Sequence, residues 1–208
     1  MDGVFMKKMV RLIGLLLLLC ALFYLASLAK DKQVLSQNLI RLHVIANSDD
    51  PSDQQTKLSV KDQIVAFIQA NLPEPCDITE AKAYLTELLP EIQKVANDAL
   101  KKNGSNLQAR VSLTNETFDI RHYDTFSLPS GVYQSLRVEL GEGKGKNWWC
   151  VVFPSLCIPV NNEDFKDTAV AAGFDQQLAD TISNERTYKI RFFLLDCIGK
   201  IENFFSFS

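Results

Sequence analysis

The sequence predicts an α+β fold, an antiparallel sheet with helices packed on it, and three observations predict it. One strand-like run is followed by stretches in which apolar residues recur at three- and four-residue steps. From Leu107 the period changes to two, over several short segments separated by turn residues. After position 164 it returns to the helical step. With 47% apolar residues, nine Gly and seven Pro in 208 residues, the chain is globular, neither collagen-like nor disordered.

The elements follow in order. Leu39 to Ala46 (LIRLHVIA) alternates and is rich in branched side chains, which reads as a strand that the turn formers Asn47 to Pro51 end. Ser52 then caps a helix to about Asn71, with Leu58, Val65, Ile68 and Leu72 on its apolar stripe and Lys57, Lys61 and Asp62 off it. Pro73 and Pro75 stop it. Asp77 with Glu80 forms a capping box for the next helix, which Pro90 breaks or restarts and Asn103-Gly104 closes. Ile92, Val95, Ala96 and Ala99 continue its buried side. LQARVSL puts Leu107, Ala109, Val111 and Leu113 on one strand face, and FDIRHY, VYQSLRVEL and WWCVVF are further strands, with turns at Leu128 to Gly131 and Gly141 to Asn147. Asp164 to Glu185 is helical, interrupted at Gly173, and Ile190 to Phe205 makes a terminal amphipathic helix.

Ahead of this domain, Lys7, Lys8 and Arg11 precede the apolar run Leu12 to Tyr24, and Ala26-Ser27-Leu28-Ala29 supplies small residues before Lys30-Asp31. That is the layout of a secretory signal, with cleavage by signal peptidase after Ala29. An uncleaved anchor fits as well, because Leu12 to Leu28 approaches the roughly 17 to 25 residues that span a bilayer. Cys20 is no lipidation site, since Leu19 stands where a small residue is required. The expected organisation is a signal peptide or anchor over residues 1–29 and a single domain over 30–208, with membrane contact only through the N-terminal segment. Losing residues 1–29 removes three basic groups and one acidic group, which takes the net charge from -3 to -5. A mildly acidic domain without a clustered basic face is not a nucleic-acid binder.

Removing Cys20 leaves four of five cysteines, an even number in an exported chain. In WWCVVFPSLC a reverse turn at Phe153-Pro154 sets Cys150 opposite Cys157, within disulfide reach. Cys76 and Cys197 either pair or serve as small buried hydrophobes. No CxxC occurs and the only histidines are His43 and His122, so no metal site is expected.

Catalytic motifs are absent. GEGKGK, residues 141 to 146, lacks P-loop spacing and reads as a hairpin loop. His43 with Asp119 or Asp124 and Ser48 has the residue types of a hydrolytic triad, but no GxSxG elbow, HExxH helix or aspartic-protease loop accompanies it. No cofactor is implied. Asn47 to Asp53 is a capped turn, its spacing unlike a calcium loop. Trp148 and Trp149 are adjacent on a strand and therefore face opposite ways; one of them is a candidate binding anchor unless a helix covers it.

Two blocks carry a resemblance: IRLHVIANSDDPSDQQTKLSVKD, residues 40 to 62, and LPSGVYQSLRVELGEGKGKNWWCVVFPSLC, residues 128 to 157. Both closely resemble the stage II sporulation protein R family of endospore-forming Firmicutes. The resemblance implies a non-enzymatic signalling protein, made in the forespore and secreted into the forespore–mother cell intermembrane space. There it would activate a membrane-embedded aspartic protease of the mother cell, which processes the mother-cell sigma factor precursor. The residues expected to meet that receptor are Trp148, Trp149, Phe153 and Pro154 of the hairpin, with Asn47, Ser48 and Asp49 of the turn. An exported hydrolase acting on cell wall or peptide is the competing class, and a structural adaptor held by an uncleaved leader is a third.

Overall fold

The computed structural model describes residues 3–73, 77–154, 162–171 and 173–193. The first element, α1 (Gly3–Gln37), is a single long helix. Its large apolar residues from Phe5 to Leu25 are exposed, whereas Leu28 and Leu35 are fully buried. The helix therefore leaves the folded unit at about Leu28 and carries an apolar stretch long enough to cross a membrane.

Strand β1 (Ile40–Ile45) follows and is buried on both faces. Helix α2 (Pro51–Asn71), α3 (Ile78–Glu87) and α4 (Leu89–Lys102) come next. The capping box at α3 forms as its sequence requires: the Asp77 carboxylate accepts from the Thr79 and Glu80 amides, and Glu80 accepts from the Asp77 amide. Pro90 restarts the chain as α4 because a proline in the first turn has no intrahelical amide to lose. Gly104 takes the left-handed conformation that closes α4.

Strands β2 (Ala109–Phe118), β5 (Gly131–Leu140) and β6 (Asn147–Phe153) join β1 in a four-stranded sheet of order β2-β5-β1-β6. The short strands β3 (Arg121–His122) and β4 (Ser127–Leu128) pair separately. Helices α5 (Asn162–Ala171), α6 (Gln176–Ser183) and α7 (residues 185–193) complete the described chain.

The fold class is α+β, as expected, with helices on both sheet faces. The sheet itself is mixed: β1 pairs with β5 in parallel and with β6 antiparallel, while β2 and β5 pair antiparallel. The parallel pair arises because the three helices between β1 and β2 act as a long crossover, and β5 enters beside β1 from the β2 side. FDIRHY is not a strand of this sheet, since β2 ends at Phe118 and Arg121–His122 pairs with Ser127–Leu128.

Two cores lie on opposite sheet faces. Leu42, Val44, Leu136, Val138 and Val152 pack against Val60, Ile64 and Ile68 of α2 and Ile92 and Ala96 of α4. On the other face Tyr133, Phe118 and Val151 pack against Leu35, Phe165, Leu178, Ile182, Tyr188 and Phe192. The second core explains why all six residues of β1 are buried instead of every second one.

The first turn of α2 departs from expectation. Asp50, not Ser52, holds the N-cap position, with Pro51 first in the helix. Lys57, expected off the buried stripe, is 4% exposed. Its ammonium donates to the Lys146 carbonyl at 2.9 Å and to Gln54 Oε1 at 2.7 Å, bonds that offset its desolvation. Burial lowers the Lys57 pKa, and the nearby Asp49 carboxylate opposes that shift.

These bonds tie the β5–β6 turn to the β1–α2 turn, and Gly145 is where the two backbones touch. A Cβ there would lie 2.1 Å from the Ser48 carbonyl oxygen. Gly145→Ala is expected to lower stability by about 1–3 kcal/mol, read as a fall in Tm, whereas Gly14→Ala, with nothing near its Cβ, should leave Tm unchanged.

Candidate functional site

The second sheet face is covered at one end by α5, α6 and α7 and polar at the other. On the polar part, β1 contributes His43, β2 Glu116, β5 Arg137 and Glu139, and β6 Asn147 and Trp149, because alternate strand positions share a face and the register brings them abreast. His43 Nδ1 lies 3.2 Å from both Glu116 carboxylate oxygens, and Nε2 lies 3.0 Å from Asn147 Oδ1. Arg137 donates to Glu116 and to Glu139, and Glu139 also receives Arg110 Nε at 3.2 Å.

An alternation of rings and cations runs across this face. The Trp149 ring stacks on His43 at 5.6 Å, and Arg121 covers Trp149 at 3.6 Å. Arg41 lies over Phe118 at 3.9 Å and near Tyr133 at 5.0 Å. Arg41 is fully buried; its Nη2 donates to the Tyr123 hydroxyl at 2.8 Å, and its Nε and Nη1 reach no acceptor among the described residues. Burial lowers the Arg41 pKa against the opposing pull of Tyr123 and Tyr133. Burial works to raise the Glu116 pKa, but the neighbouring Ser135 hydroxyl, the hydrogen-bonded Arg137 guanidinium and the adjacent His43 imidazole outweigh it and hold this carboxyl below its ordinary value.

The two tryptophans face opposite ways, as adjacent strand residues must. Trp149 is half-buried in the stack just described. Trp148 is on the α2 side, 38% exposed, with Lys61 Nζ 4.9 Å from its ring centre. Phe153 and Pro154 are buried, and the return strand of the expected hairpin, Cys157 included, lies outside the described residues, as do Cys76 and Cys197.

The side chains of Asn47, Ser48 and Asp49 are occupied within the fold. Asn47 Nδ2 and Ser48 Oγ both donate to Asp53 Oδ2, at 2.8 and 2.7 Å. Asn47 Oδ1 accepts from the Glu142 amide and Asp49 Oδ1 from the Lys146 amide. The bonds from Ser48 first, then Asn47, hold the Asp53 carboxyl below its usual range.

The residues named for a hydrolytic triad are not brought together: His43 faces Glu116 and Asn147, while Ser48 serves Asp53. Among the described residues no group of three or more His, Cys, Asp or Glu is arranged to hold a metal ion. Reading the sequence for motifs missed Arg41, Glu116, Arg121, Arg137, Glu139 and Asn147. The signal was present in the alternation of Glu116 with Phe118 and of Tyr133 with Arg137 and Glu139, since a charge at every second strand position marks a face that is partly solvated.

A small α+β domain behind an apolar N-terminal helix, with a half-buried and a partly exposed tryptophan among charged side chains on its sheet, has the build of a binding domain. The chain belongs to the stage II sporulation protein R family, which matches residues 36–163, from the end of α1 through β6 to the start of α5. It is 32% identical over 169 residues to stage II sporulation protein R of Bacillus subtilis (strain 168), covering 81% of this chain and 71% of that protein. No solved structure matches. The family is one of sporulation signalling proteins rather than enzymes, and the apolar N-terminal helix fits export or membrane association.

Because the folded Glu116 pKa is depressed, its contribution to stability is complete above the unfolded carboxylate value and is lost as pH falls through the folded value. Glu116→Gln should therefore destabilise at neutral pH and reduce the loss of stability seen on acidification from about pH 5, measured by urea unfolding at successive pH values. Arg41→Met should leave stability within about 1 kcal/mol of wild type or raise it, because it removes a buried cation whose one hydrogen-bond acceptor among the described residues is the Tyr123 hydroxyl. A large fall in Tm would show that the stack over Phe118 contributes more than the burial costs.

Proposed function

We propose that this protein is an exported sporulation signal that activates a membrane-embedded aspartic protease of the mother cell, leading to processing of the mother-cell sigma factor precursor. The observation that carries the reading is the family match over residues 36–163, which spans the entire four-stranded sheet. In this reading residues 1–29 direct export through α1, residues 30–208 form the signalling unit, and the site of action is the forespore–mother cell intermembrane space. The protein acts as a ligand: it shifts the protease only to the extent that it binds the active state more tightly than the inactive one.

Trp148 is the side chain best placed to meet the receptor, being large, aromatic and partly exposed on β6, the strand at one edge of the sheet order. Trp149 supports it from the opposite face, and Phe153 and Pro154 set the backbone from within. Asn47, Ser48 and Asp49 act by holding the two turns together. Cys157 is the proposed partner of Cys150, whose side chain is buried on β6.

Leu28 is buried and α1 is unbroken to Gln37, which favours a leader retained as an anchor over one removed after Ala29. The test is to express the full chain with the candidate protease and sigma precursor in a host lacking all three, and to follow precursor cleavage by immunoblot. Cleavage should require both proteins. Trp148→Ala should reduce it at least about tenfold while leaving Tm within a few degrees. Cleavage without the protease, or none with folded chain present, would overturn the reading.

A further inference from the structure

We propose that α7 lies on the membrane surface beside the emerging α1, with Ile190 and Phe193 inserted at the interface and Arg186 and Lys189 among anionic headgroups. This rests on the reading of α1 as a retained membrane segment.

Tyr188 and Phe192 turn one side of α7 into the second core. The opposite side carries Arg186, Lys189, Ile190 and Phe193, which recur at three- and four-residue steps and so share a face. Ile190 is 71% exposed and Phe193 62%. Two large apolar side chains flanked by Arg186 and by Lys189, which pairs with Glu185 one turn back at 2.5 Å, is the composition of an interfacial helix, whose apolar groups enter the acyl boundary while the cations stay at the polar surface.

The place of this face in the fold names its occupant. Tyr24, near the end of the exposed apolar run, donates its hydroxyl to the Arg191 carbonyl at 3.3 Å, and Tyr24 and Ile190 line the same groove. Arg191 fixes the junction, with Nε on Asp31 at 2.6 Å and Nη2 on Ser27 Oγ at 3.1 Å. Once Phe5 to Leu25 occupies a bilayer, Tyr24 is at the depth where tyrosines concentrate. Ile190 is then at that same depth, in contact with lipid. The domain is thereby seated at a fixed height and orientation instead of swinging on a tether.

The test uses the full chain reconstituted in vesicles of phosphatidylglycerol and phosphatidylethanolamine, with a portion of the lipids brominated on the acyl chain. A small fluorescent amino acid replaces Leu17, Lys102, Ile190 or Phe193, one at a time. Quenching should be strong at 17, the buried-span control, and absent at 102, at the far end of α4. It should be several-fold above the position-102 level at 190 and 193, and Arg186→Glu with Lys189→Glu should lower it there. Quenching at 17 with 190 and 193 like 102 would overturn the proposal while the anchor reading stands. An unquenched 17 would overturn both.

Discussion

Strand β1 is buried on both faces, and the rest of the structure is arranged around satisfying it. Its Leu42 and Val44 side chains require the α2–α4 layer, and its Arg41 and His43 side chains require aromatic and acidic neighbours on the other face. The backbone is bonded on one side to β5 and on the other to β6. Six residues thus define two layers, and neither layer forms a core unless both neighbouring strands are in register. The parallel pairing with β5 is the non-local step, because the chain must lay down three helices and β2 before it can form.

The open end of the sheet is secured differently. At the helical layers apolar burial holds the fold, but where β1 meets α2 and β5 meets β6 the chain is two polar turns in contact. There Asn47, Ser48, Asp49, Asp53, Gln54 and Lys57 exchange hydrogen bonds with each other and with backbone groups of the facing turn. Gly145 permits that approach because any side chain would meet the Ser48 carbonyl. A cluster of short polar residues that resembles a binding loop is therefore spent on internal satisfaction of buried donors and acceptors. On the neighbouring strand β6, by contrast, Trp148 remains partly exposed.

Arg41, bonded to the Tyr123 hydroxyl, and Arg121, lying over Trp149 in its stack with His43, place guanidinium charge inside an aromatic setting. Such groups add little net stability. Their effect is on shape: flat rings between flat guanidinium and imidazole groups set the orientation of Trp149, and through the shared backbone the direction of Trp148 on the opposite face.

Local signals in the sequence determined the element types, the capping box at Asp77, the restart at Pro90, the opposite facing of Trp148 and Trp149, and the apolar leader, because each depends on neighbours within a few residues. The family was legible in the two blocks around β1 and β5–β6 for the same reason, their letters being local. Tertiary structure alone decided that Lys57 is buried, that β1 and β5 run parallel, that His43 faces Glu116 instead of Ser48, and that α1 continues into the domain with Leu28 in contact. Each of those outcomes depends on which distant residues the sheet register brings abreast. A pattern of one strand cannot specify that, because periodicity reports which face is buried and carries no information about what buries it.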